Sequence, residues 1–205
     1  MYNEEKFWDR IAASYDRIEK SDIAYRLFIE KAGSYLKHSD TILDFGCGTG
    51  LICNEISGKV GFIHAVDIST KMVEICNNKA LERNIGNIEI SRASIFDMKF
   101  KAGSFDAIIA FNIFHLLEEP QKYIKRINQL LIPGGLILSA TPCMKEAPFL
   151  KSVLKFLSFL GITPKLNSFT CFEMEQLFLN TSFKTIEIYR IKPNSPQYLY
   201  IGKRP

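Results

Sequence analysis

The chain has little of what several common chemistries need. Three histidines in 205 residues, none at metal-ligand spacing, leave no metal to expect. The five cysteines, at 47, 53, 76, 143 and 171, are odd in number and contain no C-x-x-C pair. They read as reduced structural thiols, not as a disulfide framework. The net charge is only +4 and no run of five basic residues occurs, so nothing tracks a nucleic-acid backbone and no nucleic-acid partner is expected. No apolar run is long enough to span a bilayer, and the stretch from Met1 to Arg10 is too charged for a secretory leader. Internal repeats, low-complexity tracts and interdomain linkers are also missing. What is left is an ordinary globular composition, 47% hydrophobic and 23% charged, sized for one domain and expected in the cytoplasm.

What the chain does have begins at Thr41-Ile-Leu-Asp-Phe-Gly-Cys-Gly-Thr-Gly50. Ile42, Leu43 and Phe45 form an apolar strand of the parallel, doubly covered kind, and Leu51 to Ile56 resumes at helical spacing. The glycines between them permit positive φ and close backbone approach by a ligand. A helix beginning there is expected to aim free N–H groups into the turn. A dinucleotide fingerprint would place its third glycine where Leu51 stands, whereas here it comes one residue early, at Gly50. That spacing argues against NAD and against an oxidoreductase.

The pattern D-x-G-x-G-x-G from Asp44 resembles motif I of the class I S-adenosylmethionine-dependent methyltransferases. The resemblance implies an α/β fold with a doubly wound, Rossmann-like sheet of seven strands, mostly parallel with an antiparallel C-terminal strand, and helices on both faces. It also implies S-adenosylmethionine as methyl donor, S-adenosylhomocysteine as product, and cofactor contacts from Asp44, Gly46, Cys47, Gly48 and Gly50. The string Phe7-Trp-Asp-Arg-Ile-Ala-Ala-Ser-Tyr-Asp16 resembles the N-terminal segment of the ubiquinone/menaquinone-biosynthesis type, which folds over the cofactor with its tyrosine, here Tyr15, facing the site. The plain alternative is that Trp8 and Tyr15 pack a helix on the sheet. Helical spacing predicts one helix over Asn3 to Tyr15 and a second from Ser21 to Ala32, ended by Gly33.

Lys59 to Asp67 is a second apolar strand closed by an acid. In a doubly wound sheet that acid lies beside the glycine turn, where it can accept hydrogen bonds from two vicinal ribose hydroxyls. Helix capping without a ligand is the other reading of Asp67. Ile68 would cover the adenine face, and Ser69 caps a helix from Thr70 to Arg83 that Gly86 ends. His64, inside the strand, reads as a core or sheet-face residue. A third strand spans Asn87 to Arg92. The stretch Ala93 to Asp106 aligns with a family segment usually read G-D-A…P-F…G-S-F-D, with two departures. The acid that commonly accepts the adenine amine falls on Ser94, and the proline falls on Lys99. Ser94 can still accept one hydrogen bond and the N–H of Ile95 can meet a ring nitrogen, while Asp97 is an alternative acceptor.

Phe105 to Phe111 is the fourth strand, and its end is where the family brings donor to acceptor. Ala110 and Phe111 are placed for the methionine part of the donor, and Asn112 and His115 for the acceptor. His115 and Tyr15 are the candidate bases, with plain packing as the alternative for His115. An amphipathic helix from Pro120 to Leu131, with Tyr123, Ile124 and Ile127 on one side, leads through Ile132-Pro-Gly-Gly135 into a fifth strand, Leu136 to Ala140. The helix Phe149 to Leu160 is polar only at Lys151, Ser152, Lys155 and Ser158. It packs on the fold, lids an apolar substrate, or lies at a lipid surface. Thr170 and Glu173 form a capping box, and Phe183 to Ile191 and Gln197 to Lys203 are terminal strands.

The resulting expectation is one methyltransferase domain over residues 1–205. Residues 1–36 form a helical cap, 37–140 the cofactor core, 141–182 the substrate-side helices and 183–205 the terminal strands. The acceptor is a small molecule, quinone-like, lipid or otherwise apolar, with at most peripheral membrane contact. A non-catalytic S-adenosylmethionine-binding regulatory or partner-binding domain is the alternative.

Overall fold

The structure, a computed structural model, describes residues 4–19, 23–160, 163–193 and 195–205. Seven strands form one sheet in the order β3-β2-β1-β4-β5-β7-β6, with β1 Thr41–Phe45, β2 Phe62–Asp67, β3 Ile88–Arg92, β4 Phe105–Phe111, β5 Leu131–Pro142, β6 Lys184–Arg190 and β7 Gln197–Lys203. β1 to β5 pair in parallel. β7 runs antiparallel to both β5 and β6, so it alone is reversed. The helices are α1 Glu4–Glu19, α2 Ile23–Tyr35, α3 Leu51–Ile56, α4 Thr70–Glu82, α5 Pro120–Leu130, α6 Pro148–Phe159 and α7 Cys171–Leu179.

The period of two along the strands divides the core between the faces of the sheet. Ile42, Ala107, Ile109 and Phe111 face the helices α2, α3 and α4. Leu43, Phe45, Ile108 and Ala110 face α5 and α7. On α5, Ile124, Ile127 and Leu130 are fully buried, and each such side chain contributes about 1.5–3 kcal/mol by leaving water. The order reverses between β1 and β4, and the cleft outside the carboxyl ends of those two strands is where open α/β sheets place ligands.

Several expected boundaries move. α2 runs through Gly33 to Tyr35; a Cβ at Gly33 would meet the Lys59 ammonium, so this glycine makes room for a side chain. α4 ends at Glu82, and the left-handed residue behind it is Asn84, φ 54°, not Gly86. β5 begins at Leu131 rather than Leu136, with the register shift against β4 between Phe105 and Ala107 absorbing the Pro-Gly-Gly stretch. The expected helix starts at Asn3 and Ser21 lie outside the described residues. The Ser69 cap is present, and both halves of the Thr170 and Glu173 capping box form. His64 sits against Phe62, Phe100 and Phe105 beside Glu89, remote from the glycine turn.

The largest departure is α6. None of its residues is buried, and Phe149, Phe156 and Phe159 are 83%, 61% and 85% exposed. Plain packing of its wide apolar face onto the fold is therefore not what the chain does.

Candidate functional site: the cleft at the ends of β1, β2 and β4

The turn after β1 uses its glycines for shape. Gly46, Gly48 and Gly50 take φ values of 73°, 53° and 79°, a region closed to most side chains. A Cβ on Gly46 would come within 2.7 Å of Ile113, and one on Gly50 within 2.5 Å of the Cys76 sulfur. The turn does not, however, hold out a row of free donors. The N–H groups of Gly46 and Cys47 both donate to the Val66 carbonyl, and that of Gly50 to Cys47. The N–H of Gly48 donates to Asp67 Oδ2 at 2.9 Å. A phosphate cradle needs free N–H groups; this turn instead brings bare backbone close to a ligand and leaves carboxylate charge beside it.

Asp67 closes β2 and lines the cleft. Oδ1 accepts from the Ser69 N–H at 2.9 Å, so one carboxylate joins the glycine turn to the start of α4. Burial pushes its pKa up, and its hydrogen bonds from the Ser69, Gly48 and Ile68 N–H groups pull it back. Ile68 next to it is 44% exposed, an apolar side chain left open on the wall.

The cavity is lined by Gly46, Gly48, Asp67, Ile68, Ser94, Phe111 and Tyr15 among the expected residues. Four others lie elsewhere. Asp44 is beneath the turn, buried, with Oδ2 unpartnered. Burial pushes its pKa up to about 7, with the charge of Cys76 adding to the effect. Cys47 and Ile95 are buried in the two cores, and Gly50 opens α3. None of these reaches the cavity wall. His115 does not line it either; its Nδ1 is buried and unpartnered, and burial lowers its pKa to about 4. An imidazole that weakly basic is a poor proton acceptor at neutral pH. Of the two adenine-side candidates, Ser94 is on the wall, while Asp97 is off it, turned back to the Lys99 N–H at 2.9 Å.

Sequence reasoning missed two features. The first is the apolar lining from Phe45, Met72, Ile113, Leu116, Leu117, Tyr123 and Pro164; Phe45 stacks on Tyr123 with centroids 5.6 Å apart. The second is a clasp that fastens α1 over the cleft. Thr49 Oγ1 donates to Asp16, the Lys79 ammonium pairs with Asp16 and also donates to the Thr49 carbonyl. At the other end of α1, Ser69 Oγ donates to Asp9 at 2.6 Å and Arg92 pairs with Glu5. Trp8 and Tyr15, rings 6.3 Å apart edge to face, are thereby held as cavity wall. They do more than pack a helix on the sheet. No local pattern in the sequence names these partners, because Asp16 is 33 residues from Thr49 and 63 from Lys79.

Strand order and the glycine turn after β1 together define a doubly wound α/β protein of the class I methyltransferase form. Residues 36–189 match the model of a family described as "Methyltransferase domain", and the chain belongs to that family, whose methyl donor is S-adenosylmethionine. It is 35% identical over 133 residues to the ubiquinone/menaquinone biosynthesis C-methyltransferase UbiE of Wigglesworthia glossinidia brevipalpis, covering 62% of this chain and 52% of that protein. The chain thus spans about half the length of that curated relative. Among solved structures it resembles a chain of the complex between the Haloferax volcanii Trm112 methyltransferase activator and its partner, with TM-score 0.79, 15% identity and coverage of 99% and 98%. It also resembles an S-adenosylmethionine-dependent methyltransferase from Methanosarcina mazei, with TM-score 0.69, 19% identity and coverage of 83% and 95%. At those identities the likeness is one of fold.

Proposed function

We propose that the protein is an enzyme that transfers the methyl group of S-adenosylmethionine to a small apolar acceptor, quinone-like or lipid in character. The observation that carries this is the Asp67 carboxylate, fixed by the Gly48 and Ser69 N–H groups at the mouth of a cavity whose far wall is aromatic and aliphatic. The residues fit the donor. Asp67 has lone pairs for two ribose hydroxyls, Ile68 and Ser94 flank the adenine position, and the bare backbone of Gly46 and Gly48 admits the chain that carries the sulfur. The donor is a cation at sulfur, which suits a turn with spent N–H groups and nearby acids better than it suits a phosphate.

When bound, S-adenosylmethionine supplies a methyl group on an excellent leaving group, so the protein's part is geometry. Holding two reactants in line contributes about 7–11 kcal/mol to barrier lowering. Phe111 and Asn112, the latter at φ 54° with its side-chain oxygen held by Gln197 at 2.7 Å, end β4 where donor and acceptor would meet. Phe45, Leu116, Leu117 and Tyr123 form an apolar seat for the acceptor. The clasped α1 keeps Trp8 and Tyr15 over the cleft and excludes water; Tyr15 is the one candidate base on the wall. In this reading residues 1–36 are the cap, 37–140 the donor site, 141–182 the acceptor side, and 183–205 complete the sheet. The name of the UbiE relative supports a quinone-like acceptor. Among the described residues no helix is long and apolar enough to cross a membrane, and a cytoplasmic enzyme with at most peripheral lipid contact is part of the proposal.

The test is incubation with methyl-labelled donor and a panel of quinols, phenols, lipids, amines and carboxylates. Label entering an apolar quinol or lipid supports the reading. Tight donor binding with label on no acceptor would mark a non-catalytic binding domain.

A further inference from the structure

We propose that the pocket between α6 and the segment 163–169 is a binding site for a phosphate-class anionic group carried by the methyl acceptor. The inference rests on the methyltransferase reading and names a second chemical feature of its substrate. The pocket has a volume of about 240 Å³ and is lined by Lys151, Lys155, Lys165, Ser158 and Ser168 over a floor that includes Leu154. On α6 the half-buried residues are Lys151, Leu154, Leu157 and Ser158, while Phe149, Val153, Phe156 and Leu160 on another side are exposed. Lys151, Leu154 and Ser158 line the pocket, with the exposed Lys155 at its edge.

These lysines lack the partners that other lysines have. Lys31 pairs with Glu187, Lys79 with Asp16, Lys99 with Glu89 and Lys145 with Glu173. Among the described residues no carboxylate pairs with Lys151, Lys155 or Lys165, and the sequence explains why: from residue 147 to 172 there is no aspartate or glutamate. Three like charges around one pocket repel one another, and an anion bound there reduces that repulsion. Ammonium groups and hydroxyls together are donors without a competing carboxylate, a set suited to phosphate oxygens.

Position links the pocket to the reaction centre. Pro164 lines the cleft and Lys165, its neighbour, lines the basic pocket. The segment is tied to the cleft by the Asn167 N–H, which donates to the His115 carbonyl at 2.7 Å, and by the Asn167 side chain on the Leu117 carbonyl. In this proposal the apolar body of the acceptor lies against Leu116 and Leu117 in the cleft and its anionic group at the pocket on the other side of the Pro164–Lys165 step.

The experiment is calorimetric titration of inorganic pyrophosphate at low salt into the protein and into the Lys151→Gln, Lys155→Gln, Lys165→Gln triple variant, with S-adenosylhomocysteine titrated into both. The expected result is pyrophosphate binding that weakens as salt rises, a loss of at least tenfold in the triple variant, recovery in the corresponding Lys→Arg triple, and unchanged S-adenosylhomocysteine affinity. Equal pyrophosphate affinity in protein and variant, or none in either, overturns the inference while leaving the donor site intact. Absent S-adenosylhomocysteine binding with lysine-dependent pyrophosphate binding instead overturns the methyltransferase reading. Sedimentation with phosphatidylglycerol vesicles that depends on the three lysines, without affinity for free pyrophosphate, assigns them to a bilayer headgroup and overturns the placement on the acceptor.

Discussion

Asp67 does three things with one carboxylate: it fixes the glycine turn through Gly48, starts α4 through Ser69, and presents lone pairs to the cleft. Replacing it with alanine is expected to weaken S-adenosylmethionine binding by about 1.5–3 kcal/mol, the range for hydrogen bonds to a charged group, or roughly ten- to a hundredfold in Kd. Titration calorimetry on the folded variant checks this; an unchanged Kd would remove Asp67 from the ribose. Two buried groups outside the cavity set an opposed pH dependence of stability. Asp44, with its pKa raised to about 7, binds its proton more tightly folded than unfolded. Its contribution is greatest near pH 4 and is lost as pH rises to 7. His115, lowered to about 4, contributes stability above pH 6.5 that is lost as pH falls towards 4. Asp44→Asn is therefore expected to raise Tm more at pH 8 than at pH 5, and His115→Gln to flatten the loss on the acid side. Scanning fluorimetry at the two pH values reads both, and a Tm change equal at both would contradict the assignment.

Among the elements, α1 is held over the cleft by polar groups at three points along its length, Glu5 on Arg92, Asp9 on Ser69 and Asp16 on Thr49 and Lys79. Asp16→Ala is expected to release that end. The predicted signs are faster proteolysis within residues 4–19 and severalfold weaker donor binding, with only a small fall in Tm because Tyr15 is the α1 side chain that packs against the sheet core. Limited proteolysis with and without S-adenosylhomocysteine measures it, and equal cleavage rates in variant and parent would refute the clasp. Such a contact is illegible in sequence, because Asp16 lies far along the chain from both Lys79 and Thr49 and no local pattern links them. The strands were legible for the opposite reason. Ile42 to Phe45, Phe62 to Asp67 and Phe105 to Phe111 are apolar runs ended by glycine, an acid or a polar turn, and each sits where those local rules put it. The motif also placed Gly46, Gly48, Asp67, Ile68, Ser94 and Phe111 on one wall. It could not separate wall from support: Asp44, Cys47 and Ile95 belong to the same motifs but point into the core, a distinction set by strand alternation and by what packs behind. For α6 only one of the three readings, plain packing, fails, because an apolar face predicts burial only if the fold supplies a surface to cover it.

At the scale of the whole molecule, the reversal of strand order between β1 and β4 creates one cleft, and most of what is unusual in the chain converges there: positive-φ glycines, an acid shared between a turn and a helix, a clasped N-terminal helix and an apolar wall. The two cores on either side of the sheet hold those pieces in place without contributing to the chemistry. The account therefore stands on where the donor sits. Its most direct test is a crystal structure of the protein grown with S-adenosylhomocysteine. The result expected is the nucleoside in this cleft, both ribose hydroxyls on the Asp67 carboxylate, the adenine between Ile68 and Ser94, and the sulfur facing Phe111 and Asn112. Density for the molecule at another place, or a cleft left empty at saturating concentration, would contradict it.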